Sequence, residues 1–199
     1  MRRIGLLGGS FNPAHDGHRY ISVEAIKRLS LHQVWWLVSP QNPLKGTADM
    51  APFHQRMRFA RMAAQHPRIV VTDVEQRLGT VYTVDTLRRL LPRFPACRFV
   101  WLMGADNLIQ IASWKGWQEI FVSVPIAVFA RPPYSSPALV GKAARVFASA
   151  RLPEVRAKQV ATMRPPAWVY LHTRPHPGSA TRIRQRGGVE ATQSAPAPR

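Results

Sequence analysis

Two histidines three residues apart, His15 and His18, follow two adjacent glycines, Gly8 and Gly9, within the stretch GGSFNPAHDGHRYIS. Imidazole can ligate a metal, hold a proton or donate a hydrogen bond to an anion. A zinc site needs a third histidine or a carboxylate at fitting spacing, and none accompanies this pair. Ordinary structural histidines are a second reading, which composition alone favours. The third reading makes His15 and His18 donors to phosphate oxygens, placed where loop amides and a helix N-terminus already attract anions. It explains why the glycines and histidines occur together. The glycine spacing is neither G-x-G-x-x-G nor G-x-x-x-x-G-K-[ST], so neither the dinucleotide fingerprint nor the Walker loop is present.

Such a turn acts only if regular elements hold it. Arg3–Leu7 reads as a strand, and Gly17–Leu29 as a helix with Ile21, Ala25 and Leu29 on one face. Val34–Val38, Ile69–Thr72, Arg98–Met103, Ile126–Ala130 and Trp168–His172 read as further strands. Helices are expected from Pro52 to Gln65, with the proline at the first helical position, over Thr83–Leu91, over a basic stretch Pro137–Ala150, and from about Ala180. Strands alternating with helices predict an α/β fold: a Rossmann-like, doubly wound parallel sheet in one domain. In such a sheet ligands sit beyond the carboxyl ends of the strands, where the first strand delivers Gly8, Gly9, Ser10 and Phe11. Glycine there would permit positive φ and close backbone approach to a ligand. The stretch 152–166 has weak periodicity. The end, GGVEATQSAPAPR, is small, polar and proline-rich; we expect a domain over 1–186 and a disordered tail over 187–199.

The chain has 199 residues, with 28 Lys and Arg against 10 Asp and Glu, a formal charge of +18. That surplus favours anionic partners, whether nucleic acid, acidic lipid or phosphorylated small molecules; a generally basic surface is the plainer reading. No run of consecutive Lys and Arg resembles a nucleic-acid tail. The only cysteine, Cys97, excludes a disulfide framework. No stretch approaches the roughly 18 apolar residues of a membrane span, and the opening residues do not read as a signal peptide, so the expectation is a cytoplasmic protein.

GGSFNPAHDGH resembles the G-G-[ST]-F-[DN]-P-x-H-x-G-H opening of the nucleotidyltransferase superfamily, in the H-x-G-H form of its pyridine-nucleotide adenylyltransferases. Further segments are similar, in order, to those of the bacterial nicotinate-mononucleotide adenylyltransferases: SPQNPLKG, VYTVDTL, MGADNLIQIASWKGWQEI, ARPPY and GSATRIR. The resemblance runs from residue 4 to about 184. It implies adenylyl transfer from ATP to nicotinate mononucleotide, giving deamido-NAD and pyrophosphate, with Mg2+ carried on ATP rather than held in a protein cage.

The resemblance also implies roles. His15, His18, Lys45 and Arg184 would be catalytic. ATP would contact Gly8, Gly9, Ser10, Phe11, His15, His18, Gly104, Asp106, Arg131, Ser179, Thr181 and Arg184. Nicotinate mononucleotide would contact Ser10, Asn42, Lys45, Thr83, Trp114 and Lys115. Several of these have plainer readings: Asp106 and Thr83 as helix caps, Trp114 and Trp117 as core aromatics, Tyr82 as packing, and Ser179 to Arg184 as an ordinary capped basic helix. The chain departs from the family pattern at Ala180, which removes one hydroxyl, at Lys115, and at Pro133. A nicotinamide-preferring or dual-specificity enzyme, and a basic nucleic-acid-binding protein on the same fold, are the alternatives; oligomeric state stays open.

Overall fold

The computed structural model describes residues 1–40 and 50–174. Apolar runs that continue without polar alternation make strands buried on both faces, and these assemble into a parallel sheet. The strands are β1 (Arg2–Gly9), β2 (Gln33–Val38), β3 (Ile69–Thr72), β4 (Cys97–Gly104), β5 (Ile126–Phe129), β6 (Arg151–Leu152) and β7 (Trp168–Leu171). Among the described residues they form one sheet in the order β3-β2-β1-β4-β5-β7-β6, and every pairing is parallel.

One face buries Ile4, Leu6, Phe99, Trp101, Met103 and Ile126; the other buries Leu7, Trp36, Val38, Val100, Leu102 and Phe129. The period of two is that of a pleated strand. Helices α4 (Thr83–Leu90), α5 (Ala105–Gln110) and α6 (Trp117–Ser123) cover the first face. On the second face lie α1 (Asp16–Arg28), α2 (Phe53–Ala64) and a 3-10 stretch, Glu154–Thr162. The expected doubly wound sheet is the observed one. Because the chain runs outward from β1 to β3 and then returns to β4 on β1's other side, the crevice opens where the carboxyl ends of β1 and β4 diverge.

Three local expectations change. The helix expected over Pro137–Ala150 is divided into α7 (Ser135–Val140) and α8 (Lys142–Val146), with the extended Gly141 between them capping α8. Pro52 occupies the N-cap of α2 rather than its first helical position. The weakly periodic 152–166 stretch becomes β6's end and the 3-10 segment, which packs Ala157 and Val160 under the sheet. Between β3 and α4 lies a short helix, α3 (Val74–Leu78). The tail expected over 187–199 and the helix expected from Ala180 lie outside the described residues.

Candidate active site

The turn after β1 runs Gly8-Gly9-Ser10-Phe11 into α1. Neither glycine has positive φ; the left-handed residue of the turn is Phe11, at φ 47°. The positive-φ expectation thus fails at both glycines, and the structure gives Gly8 a steric reason of its own. A Cβ there would come within 2.7 Å of the Trp101 ring on the neighbouring strand, so the sheet has no room for one. Phe11 accepts its strained backbone because its ring is buried, stacking on Trp36 at 5.0 Å and lying 4.8 Å from the His18 ring. Its side chain is therefore core, and only its backbone remains for a ligand.

His15 is the N-cap of α1 and His18 stands three residues inside it. The Gly17 amide donates to His15 Nδ1 at 3.1 Å, and the His15 amide donates to His18 Nδ1 at 3.2 Å. Both rings thus close a reciprocal cap, satisfying amides that a helix start otherwise leaves without partners. An imidazole that accepts through Nδ1 carries its hydrogen on Nε2. The two rings lie 4.0 Å apart. Burial, reinforced by the nearby His15 and Arg131 charges and opposed by the backbone hydrogen bond, lowers the His18 pKa from 6.5 to about 3. His18 is therefore neutral at ordinary pH, with a fixed tautomer. The structural reading of these histidines holds: both rings serve the helix cap, and the cap fixes which ring nitrogen accepts.

A buried relay seats the first turn of α1 on the sheet. Trp36 Nε1 donates to Ser22 Oγ at 2.7 Å, and Ser22 Oγ donates to the His18 carbonyl at 2.8 Å. Sequence reasoning missed both residues, since a serine inside a helix and a tryptophan inside a strand carry no signal of their pairing.

Across the crevice, β4 delivers Gly104 and Asp106. The Asp106 carboxylate folds over Gly104, where a Cβ would stand 2.4 Å from Oδ1. Oδ2 accepts from Arg131 at 2.9 Å, while Oδ1 is buried and has no hydrogen-bond partner among the described residues. The capping reading of Asp106 does not hold, because α5 has no side-chain cap and Asp106 lies inside it. A buried carboxylate oxygen lacking a partner is an acceptor in wait for a donor such as a hydroxyl.

Thr83 is the first residue of α4 rather than its cap, which is Tyr82. Trp117 is core, as its plainer reading had it. Trp114 is half-buried against the same cluster, and its buried indole N–H has no hydrogen-bond partner among the described residues. Lys115 is exposed; its Nζ donates to Asp85 at 2.8 Å and lies 4.9 Å from the centre of the Tyr82 ring. Thr80, Tyr82, Asp85, Arg88 and Lys115 line an open cavity of about 460 Å³ beside α4. Asn42, Lys45, Ser179, Thr181 and Arg184 lie outside the described residues. Among the described residues, no three of His, Cys, Asp and Glu are grouped to hold a metal, and no helix is long and apolar enough to cross a membrane.

Two buried charged groups flank this arrangement. Glu75 on α3 is buried, and desolvation pushes its pKa up to about 7 against the opposing hydrogen bonds of Thr86 and Ser39. Arg56 on α2 is 1% exposed. It occupies the apolar stripe of Phe53, Met57, Ala60 and Ala64, and a charge on such a stripe is the sequence signal that could have marked it.

The parallel sheet with a histidine-capped turn at its switch point matches the cytidylyltransferase-like family model over residues 6–186, and the chain belongs to that family. Within it, the chain belongs with the nicotinate-nucleotide adenylyltransferases. A relative from Cereibacter sphaeroides, named probable nicotinate-nucleotide adenylyltransferase, is 51% identical over 92% of this chain and 97% of its own. One of the same name from Parvibaculum lavamentivorans is 50% identical over 94% of this chain and 92% of its own. The fold is also that of Plasmodium falciparum nicotinic acid mononucleotide adenylyltransferase complexed with NaAD, at TM-score 0.69, 16% identity, and coverage of 93% of this chain and 83% of that one.

Proposed function

We propose that this chain transfers the adenylyl group of ATP to nicotinate mononucleotide. The 5′-phosphate of the mononucleotide attacks the α-phosphorus, the bond to the bridging β-phosphate oxygen breaks, and deamido-NAD and pyrophosphate leave. The nucleophile is an ionised phosphate, so no general base is needed. Catalysis then rests on alignment and on donors aimed at the charge that develops in transfer.

The observation that carries this reading is the mutual cap of His15 and His18. With both Nδ1 atoms occupied by backbone amides, each ring keeps an Nε2–H as its remaining donor. Neutral His18 costs little to hold beside the helix start, yet donates to an α-phosphate oxygen as negative charge builds. His15 serves the neighbouring phosphates. Asp106 Oδ1 would accept from ribose, with Arg131 orienting the carboxylate through Oδ2.

The mononucleotide would lie on the α4 side. Trp114 offers its face to the pyridine ring, and the backbone amides of Thr83 and Lys115 receive its carboxylate, which selects nicotinate over nicotinamide. Gly8, Gly9, Ser10, Phe11 and Gly104 contribute backbone. The sequence resemblance adds Asn42 and Lys45 toward the mononucleotide, and Ser179, Thr181 and Arg184 toward the triphosphate. Mg2+ enters on the ATP phosphates. The reading carries with it a cytoplasmic enzyme of NAD biosynthesis, over a domain of residues 1–186.

The test is pyrophosphate release with ATP and Mg2+, offering nicotinate mononucleotide, nicotinamide mononucleotide and phosphopantetheine separately. Turnover with the first, exceeding the second by at least tenfold, is expected. Equal turnover of the two mononucleotides would overturn the selectivity, and turnover with none of the three would overturn the activity.

A further inference from the structure

Arg56 is a buried guanidinium with no carboxylate within ion-pair distance among the described residues. Backbone carbonyls surround it instead. Its Nε donates to the Ala51 carbonyl at 2.9 Å, its Nη1 to the carbonyls of Ser10 and Ser39, each at 2.7 Å, and its Nη2 to that of Pro40 at 2.9 Å. The Phe53 ring covers it, with its centre 5.4 Å from the guanidinium carbon. Four of the five N–H donors are thus accounted for on one rigid plane, which an ammonium group could not reproduce.

The four carbonyls belong to three separate pieces of backbone: the turn after β1, the end of β2, and the entry to α2. Two more bonds tie the same pieces. The Ser39 amide donates to the Gly9 carbonyl at 2.9 Å, and the Ala51 amide donates to the Asn12 side chain at 3.2 Å. The four hydrogen bonds offset much of the cost of burying this charge, but no anion neutralises it among the described residues, so a cation kept here needs a reason beyond packing. The mechanism proposed above does not use it.

We propose that Arg56 is a positioning residue for adenylyl transfer: its guanidinium spaces the Ser10 turn from the ends of β2 and α2, so that the donors of the turn face the triphosphate before it arrives. This rests on the reading of that turn as the ATP cradle. A trans peptide sets its N–H opposite its C=O, so the Ser10 carbonyl held by Arg56 turns the following Phe11 amide away from the guanidinium. The charge beneath adds to the pull on an anion above.

The test compares Arg56→Lys and Arg56→Ala with wild type, using near-UV circular dichroism to express all rates per folded molecule. Pyrophosphate release with ATP and nicotinate mononucleotide, and ATP binding by calorimetry, are measured on each. Arg56→Lys keeps the charge but loses the planar fan, and a displacement of the order of 1 Å at a reacting centre costs about 10²-fold in rate. A fall in kcat/KM for ATP of that order, with the folded fraction retained, is expected. Guanidinium chloride at millimolar concentration should restore Arg56→Ala saturably, and sodium chloride at equal ionic strength should not. Wild-type kcat and KM per folded molecule in Arg56→Lys would overturn the proposal, leaving a residue that only stabilises. Wild-type turnover in the same assay judges the activity itself, so the two readings fail separately; should turnover be absent throughout, unchanged ATP affinity in Arg56→Lys still overturns the role of Arg56.

Discussion

Replacing His18 separates the helix cap that its ring makes from the donor role proposed for it. Asparagine at this position can still present an oxygen acceptor near the place of Nδ1, and so can still receive the His15 amide, but it has nothing at the place of Nε2. Alanine loses both. From the structure, His18→Ala forfeits a cap bond of 3.2 Å and ring contacts at 4.0 Å to His15 and 4.8 Å to Phe11. Cap losses cost about 0.5–2 kcal/mol and aromatic contacts about 0.5–1.5 kcal/mol, so a destabilisation of roughly 1–3 kcal/mol is expected for alanine. Asparagine should recover the cap share. Removing one preorganised donor to transition-state charge lowers kcat by about 10²–10³-fold, and both variants should show that loss. Denaturant unfolding gives the first quantity, and pyrophosphate release at saturating ATP and nicotinate mononucleotide gives the second. A His18→Asn enzyme that turns over within tenfold of wild type would refute the donor role and leave His18 a helix cap alone.

Other outcomes follow from the same geometry. His18 is held neutral, with its pKa lowered from 6.5 to about 3, so its contribution to stability is complete above 6.5 and is lost as pH falls toward 3; wild type should lose more stability than His18→Asn over that window. Glu75 has the opposite sign: its folded pKa near 7 exceeds its ordinary 4.5, so stability drains as pH rises from 4.5 to 7. Glu75→Gln should therefore melt higher than wild type at pH 8 and about equally at pH 4; a variant no more stable at pH 8 would contradict this. Gly8→Ala meets the Trp101 ring at 2.7 Å and should cost about 1–3 kcal/mol by overpacking, with a double-mutant cycle against Trp101→Leu showing favourable coupling. Asp106→Ala should raise KM for ATP with little change in melting temperature, and an unchanged KM would remove Asp106 from the ribose role.

The sequence by itself determined the sheet and its winding. Uninterrupted apolar runs at Ile4–Leu7, Val34–Val38 and Ile126–Phe129 can only be strands buried on both faces, and helical stripes between them enforce parallel crossovers. Order and spacing of short motifs along the chain also sufficed to name the family, because each motif lies within one short stretch of sequence. Contacts between remote positions were a different matter. That Gly8 is glycine because of Trp101, that Ser22 links Trp36 to His18, and that Thr86 and Ser39 satisfy Glu75 are facts of approach between strands and helices far apart in sequence. Nor could spacing show that His15 and His18 cap each other, since that depends on which ring nitrogen turns inward. Arg56 is the plainest case: a charge on an apolar stripe announces itself in the sequence, but its four carbonyl partners come from three backbone segments that only folding brings together. Local pattern reports what each segment buries, whereas the partners of a buried polar group are set by the tertiary arrangement that excludes water around it.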